Sequence, residues 1–167
     1  VVSLVRMLRA TTGLSVVIAP HSYREGRPEG RMNDGPVCRQ VGAGLVDDPG
    51  VVVVDTGMTA GELRHLISGS RAMVTSRFHA MISGLSTCTP TVVVGWSHKY
   101  REVLDDFGLS RFGMDADALS TPGVVVDAVN ECLSDRDRIV ASIAAGLPAV
   151  KTRSLLNFSV IDRAGSR

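Results

Sequence analysis

Val1, Leu4, Val5 and Leu8 fall on one face of a helix drawn over residues 1–10, and Gly13 ends that pattern. A Val/Ile-rich run at 14–19, stopped by Pro20, predicts a strand. Residues 21–34 break every apolar period with Gly, Pro and several charges, which predicts a mobile loop. Asp34 is placed to cap a short helix over 35–41. The next strand, 51–55, opens on consecutive valines, and a run without alternation suits a strand buried on both faces. Thr59 and Glu62 have capping-box spacing and open a helix to 67. A short strand at 72–75, a helix at 77–85 capped by Ser76, a strand at 91–94 and a loop at 95–99 follow. The pattern then predicts a helix over 99–107 ended by Gly108, and a last short strand at 112–114. Pro122 sits at the first position of a helix whose inner stripe is Val125, Ala128/Val129 and Cys132/Leu133. Ser134 or Asp135 caps another, faced by Ile139, Ile143 and Leu147. Pro148 breaks or kinks it, and 150–162 continues as a final helix.

Strand and helix alternate almost throughout. That alternation predicts an α/β, Rossmann-like, doubly wound parallel sheet of about five strands with helices on both faces. In such sheets ligands sit beyond the carboxyl ends of the strands. Arg77, His79 and Lys99 follow two strand ends, so they fall together on that side. A helix start there also presents free N–H groups and partial positive charge. The combination predicts an anion site.

Composition narrows the chemistry. The 167 residues suit one domain, and a net charge of +1 favours neither nucleic acid nor an acidic membrane as partner. Aromatics make up 4%, so the core is aliphatic. Cys38, Cys88 and Cys132 have no metal spacing, which predicts a reducing, cytoplasmic setting. His21, His65, His79 and His98 lack zinc spacing too, and a reaction without metal or cofactor is expected. No phosphate-loop or dinucleotide fingerprint follows a strand. No continuous apolar run reaches the roughly 18 residues of a membrane span, and no signal peptide is visible. The chain starts at Val1 inside a helical pattern, which predicts a piece of something longer.

Each candidate has a plainer alternative. Arg77 offers a planar fork for carboxylate or phosphate, and the same spacing suits a surface Arg paired with an acid. His79 can deliver a proton near neutral pH, or simply hydrogen-bond a loop. Lys99 is a point charge for an anion, or a solvated lysine; Ser97 and, more weakly, His98 would bind beside it. Gly95 permits a close backbone approach at that strand end. His21 lies in a loop on the same rim, where a solvated histidine is an equal alternative.

The run SRFHAMISGLS, followed by TPTVVVGWSHKYREVLDDFGL, resembles the carboxyl-terminal half of the polysaccharide pyruvyl transferase family. Arg77, Phe78, His79 and Ala80 match its Arg-x-His-Ala/Ser element, Pro90 and Val92 its strand, and Lys99 the lysine about twenty residues beyond the His. Cys88 replaces the usual Gly two places before the Pro. The likeness runs loosely over 16–147 and is specific over 76–108. It implies one half of a GT-B-like architecture, the second, donor-binding domain of a two-domain enzyme. The implied reaction moves a pyruvyl group from phosphoenolpyruvate to a sugar diol of a cell-surface or secreted glycan. His79 would then be the acid, Arg77, Lys99, Ser97 and His98 the donor ligands, and His21, through a comparable Pro-His element, a cleft residue. The implied partners are phosphoenolpyruvate, a glycan or lipid-linked saccharide, and an amino-terminal domain of the same chain, working in the cytoplasm or at the inner face of the membrane. A nucleotide-sugar-dependent GT-B half and a non-catalytic anion-binding or assembly domain remain the rivals.

Overall fold

The computed structural model describes residues 1–26, 33–95 and 98–165; Trp96 and Ser97 lie outside them. Helix α1 (Val2–Thr12) ends at Gly13, whose φ of 66° is the left-handed conformation glycine adopts without a Cβ clash. Strand β1 (Val16–Ile18), helix α2 (Gly35–Ala43) and strand β2 (Val51–Val53) follow, with β1 and β2 paired in parallel. Helix α3 (Ala60–Ser68) opens on the predicted capping box: the Glu62 N–H donates to Thr59 Oγ1 at 3.2 Å, and the Thr59 N–H to Glu62 Oε2 at 2.8 Å. Then come β3 (Met73–Thr75), α4 (Phe78–Ser86), β4 (Thr91–Val94), α5 (His98–Asp105) and β5 (Gly113–Met114). Helices α6 (Pro122–Ser134) and α7 (Arg136–Gly165) close the chain.

The expected five-stranded, doubly wound sheet is corrected to two small parallel sheets, β1-β2 and β3-β4-β5. The reason is visible in the strands, which run for only two to four residues and so leave few ladder bonds to join one group to the other. Burial differs in the same way. Strand β4 is buried at all four positions, whereas Val17 and Val52, which face each other across β1 and β2, are 44% and 53% exposed. The valine run at 51 is therefore covered on one face, because only α2 packs on it closely: a Cβ on Gly42 would stand 2.5 Å from Val53 Cγ2.

One core surrounds β4. It takes Leu4 and Leu8 from α1, Met81 and Leu85 from α4, Leu104 from α5, Val125, Val129 and Cys132 from α6, and Ile139 and Ile143 from α7. Pro148 does not end α7, which continues as a single helix. Over Arg136–Leu156 that helix is long and apolar enough to cross a membrane by length and composition, at a mean hydropathy of 1.3 with 11% of it buried. The match is by average hydropathy, which tolerates Lys151 and Arg153, so the expectation drawn from continuous apolar runs is unchanged. A core helix passes the same test, and Ile139 and Ile143 are core residues.

Candidate active site

The turn between β3 and α4 sets the site. Ser76 was expected to cap α4; instead Arg77 holds the capping position, with extended backbone and no side-chain cap bond. Thr75 makes the turn, its Oγ1 accepting the Arg77 N–H at 3.0 Å. The Arg77 side chain is thus directed away from its own helix, and its Nη2 pairs with the Asp34 carboxylate at the start of α2. The plainer reading of Arg77, a guanidinium paired with an acid, is what the structure shows, with the side chain half-buried.

Asp34 was expected to cap α2, and its side chain makes no such bond. Its second oxygen accepts the Ser22 N–H at 3.0 Å, and its own N–H donates to Ser22 O at 2.7 Å. Asn33 adds a second tie, accepting the Arg24 N–H and donating to Arg24 O, each at 3.2 Å. The Tyr23 ring lies against Gly35 and Gly57, where an added Cβ would come within 3.0 and 2.8 Å. The described ends of the predicted mobile loop are therefore fastened; residues 27–32 lie outside the description.

That fastening brings His21 to His79. The two imidazoles lie parallel, with centroids 6.5 Å apart and planes 6° from coincidence. His79 is exposed in the first turn of α4, with the Phe78 ring edge-on at 5.9 Å. His21 is half-buried, and its Nδ1 is buried without a hydrogen-bond partner among the described residues. Burial lowers the His21 pKa; Asp34 opposes this, and His79 and Arg77 reinforce it. A half-buried imidazole, its charged form disfavoured by burial, thus faces an exposed one.

His98 and Lys99 open α5 and are exposed. The next residue, Tyr100, donates from its hydroxyl to Ser76 O at 3.0 Å, and its ring lies 5.8 Å from that of Phe78. Since β3 and β4 are parallel neighbours, α4 and α5 start at the same end of the sheet, and Tyr100 joins those starts. The close approach that Gly95 allows is taken by Tyr100, whose Cε2 would stand 2.4 Å from an added Cβ. Ser97 lies outside the described residues. Sequence reading missed Asp34 and Tyr100 as site residues. Asp34 carried a signal, an acid before Gly-Pro, but one that pointed to a local cap; Tyr100 carried none.

Two concavities elsewhere, of about 320 Å³ beside Arg71 and the start of α7 and about 350 Å³ beside Arg6 and Arg9, contain none of these residues. Their walls hold the ion pairs Arg138–Asp135, Arg6–Asp47 and Arg9–Asp48 and no imidazole. No group of three or more His, Cys, Asp or Glu that could hold a metal ion occurs among the described residues. All three cysteines are free, and burial pushes the Cys132 thiol up to about 12, making it a core residue.

No curated protein and no solved structure matches the chain. A family model described as polysaccharide pyruvyl transferase matches residues 2–98, a span that holds His21, Asp34, Arg77 and His79 and stops one residue before Lys99. With more than half of its length inside that match, the chain belongs to the polysaccharide pyruvyl transferase family, a family of transferases.

Proposed function

We propose that the chain is the donor-binding half of an enzyme that moves a pyruvyl group from phosphoenolpyruvate to two hydroxyls of a sugar, forming a ketal and releasing inorganic phosphate. The atoms balance without a cofactor. One hydroxyl proton ends on the former methylene carbon, which becomes a methyl group, and the other leaves with the phosphate. The donor is a small polyanion carrying a phosphate and a carboxylate. A guanidinium fork suits either group, and an ammonium on the neighbouring helix start supplies a second cation.

In this reading Arg77 and Lys99 hold the donor, with His98 and Ser97 beside Lys99. His79 delivers the proton to the enol carbon as a hydroxyl attacks its neighbour. The attack leaves phosphate on a saturated carbon, from which it departs as the second hydroxyl closes the ketal. Fixed charge at Arg77 and Lys99 stabilises that departure. The observation that carries the reading is the meeting of Arg77 with two parallel imidazoles on the rim that a pyruvyl transferase model covers. The rim is open, which fits the donor-binding half of a two-domain enzyme whose other half brings a glycan or lipid-linked acceptor to the inner face of the membrane.

Phosphate release from phosphoenolpyruvate, measured on the two-domain protein that carries this chain, with and without a diol acceptor, tests the assignment. Release should depend on the acceptor, and His79→Ala should lower the rate by about 10²–10⁴-fold while phosphoenolpyruvate still binds. Binding of nucleoside diphosphates in place of phosphoenolpyruvate would transfer the site to a nucleotide-sugar enzyme. An unchanged His79→Ala rate would remove the acid role.

A further inference from the structure

An Asp immediately before a helix normally turns its carboxylate onto the free N–H groups of that helix. Asp34 does not. One of its oxygens pairs with Arg77, 43 residues on, and the other accepts the N–H of Ser22, 12 residues back. Those two partners adjoin the two imidazoles in sequence. Arg77 precedes the helix that carries His79, and Ser22 follows His21 directly. A single carboxylate therefore joins both edges of the imidazole pair.

A carboxylate here is a poor choice if binding alone mattered. Negative charge beside an anion site repels the anion. Its compensating value is geometric: a guanidinium recognises a carboxylate or phosphate through a planar fork, so the direction of that plane matters as much as its charge. The Ser22 bond likewise fixes where the His21 ring stands relative to His79.

We propose that Asp34 is the positioning residue of the donor site, orienting the Arg77 guanidinium and holding His21 opposite His79. The assignment rests on the pyruvyl-transfer reading above. It makes turnover and affinity respond in different directions. Loss of the carboxylate raises local positive charge, which offsets what ground-state binding loses in guanidinium orientation, so donor affinity stays the same or tightens. Loss of fixed geometry lowers the rate of the chemical step. A tie that merely kept the loop folded would weaken both together.

The test compares wild type, Asp34→Asn and Asp34→Ala in the two-domain protein that carries this chain. Calorimetry reads phosphoenolpyruvate affinity, and phosphate release at saturating acceptor reads turnover. Asn keeps one acceptor oxygen for Arg77, but its amide nitrogen cannot accept the Ser22 N–H, so its loss should be intermediate. Turnover should fall about tenfold or more in Asp34→Ala and less in Asp34→Asn, with affinity at least that of wild type. Should Asp34→Ala fail to fold, Asp34→Asn alone carries the same comparison. Turnover within about twofold of wild type would overturn the assignment, as would affinity falling in step with turnover. A wild-type two-domain protein that releases no phosphate would remove the pyruvyl-transfer reading and this role with it. An active wild type with indifferent variants would remove this role alone.

Discussion

Gly84→Ala tests how α4, and with it His79, is seated on the sheet. Helix α4 buries Ala80, Met81, Gly84 and Leu85 against the strands. A Cβ added at Gly84 would stand 2.3 Å from Thr91 Oγ1 and 2.7 Å from Met73 Cε, distances that non-bonded atoms do not tolerate. The Met73 methyl ends a flexible chain and can swing aside. The Thr91 hydroxyl cannot, because Thr91 is wholly buried and donates to Thr89 O at 2.8 Å. Two terms oppose each other. Alanine in place of glycine within a helix is worth up to about 1 kcal/mol. Overpacking costs about 1–3 kcal/mol, and losing the buried Thr91 bond adds about 1–3 kcal/mol where it occurs. The expected net is a destabilisation of about 2 kcal/mol, read as a lower urea midpoint. Since α4 must lift to admit the methyl, phosphoenolpyruvate affinity should fall as well. Gly61→Ala in α3 is the control, because its Cβ would meet nothing nearer than Thr59 Oγ1 at 4.0 Å. A Gly84→Ala chain as stable as wild type would mean that propensity prevails and that α4 is not held by this contact.

Cys88 adopts a positive φ of 56°, so Cys88→Gly should be more stable than Cys88→Ala by about 1 kcal/mol, since both remove the thiol and only one keeps a Cβ in the left-handed region. The reverse order in denaturation would refute the strain. His21, whose folded pKa is lowered, should titrate below the ordinary value of about 6.5 in histidine-detected NMR. The unfolded chain then binds more protons below that pH. The His21 contribution is therefore full above about 6.5 and is lost as pH falls toward the folded pKa, a slope that His21→Gln should flatten. A His21 midpoint above the ordinary value would show that Asp34, not burial, governs the ring.

The features that sequence reading placed correctly are those decided within a few residues. The Thr59/Glu62 capping box needs only its own four positions, and strand β4 matches its predicted bounds because Pro90 and Gly95 punctuate it. Cys88 stood out as a departure from a glycine, and the left-handed backbone there explains why glycine suits the position. Features that depend on distant neighbours were not legible. Consecutive valines fill both β2 and β4, yet only β4 is buried throughout, because burial depends on which helices cover each face. Asp34 read as a cap because that is the local use of an acid before Gly-Pro, and the carboxylate takes a partner far along the chain instead. Ser76 read as a cap for the same reason, and Thr75 turned out to hold the turn.

The open rim raises a question of rigidity, since neither of the two concavities described above includes its side chains. The answer lies in how the four-residue turn from Ser76 to His79 is tied. From one side, Asp34 on the start of α2 grips Arg77; from the other, Tyr100 on α5 grips Ser76 O and lays its ring beside Phe78. Below, Gly84 and Met81 seat α4 on the strands so closely that a single methyl would not fit. Two elements distant in sequence, α2 and α5, and the strands beneath thus fix one short segment. Fixed dipoles and charges stabilise a developing charge because they need not reorganise when it forms, and an enclosed pocket is one way to achieve that. A turn held at three points is another. It gives an exposed imidazole and a half-buried guanidinium a settled geometry before any ligand arrives.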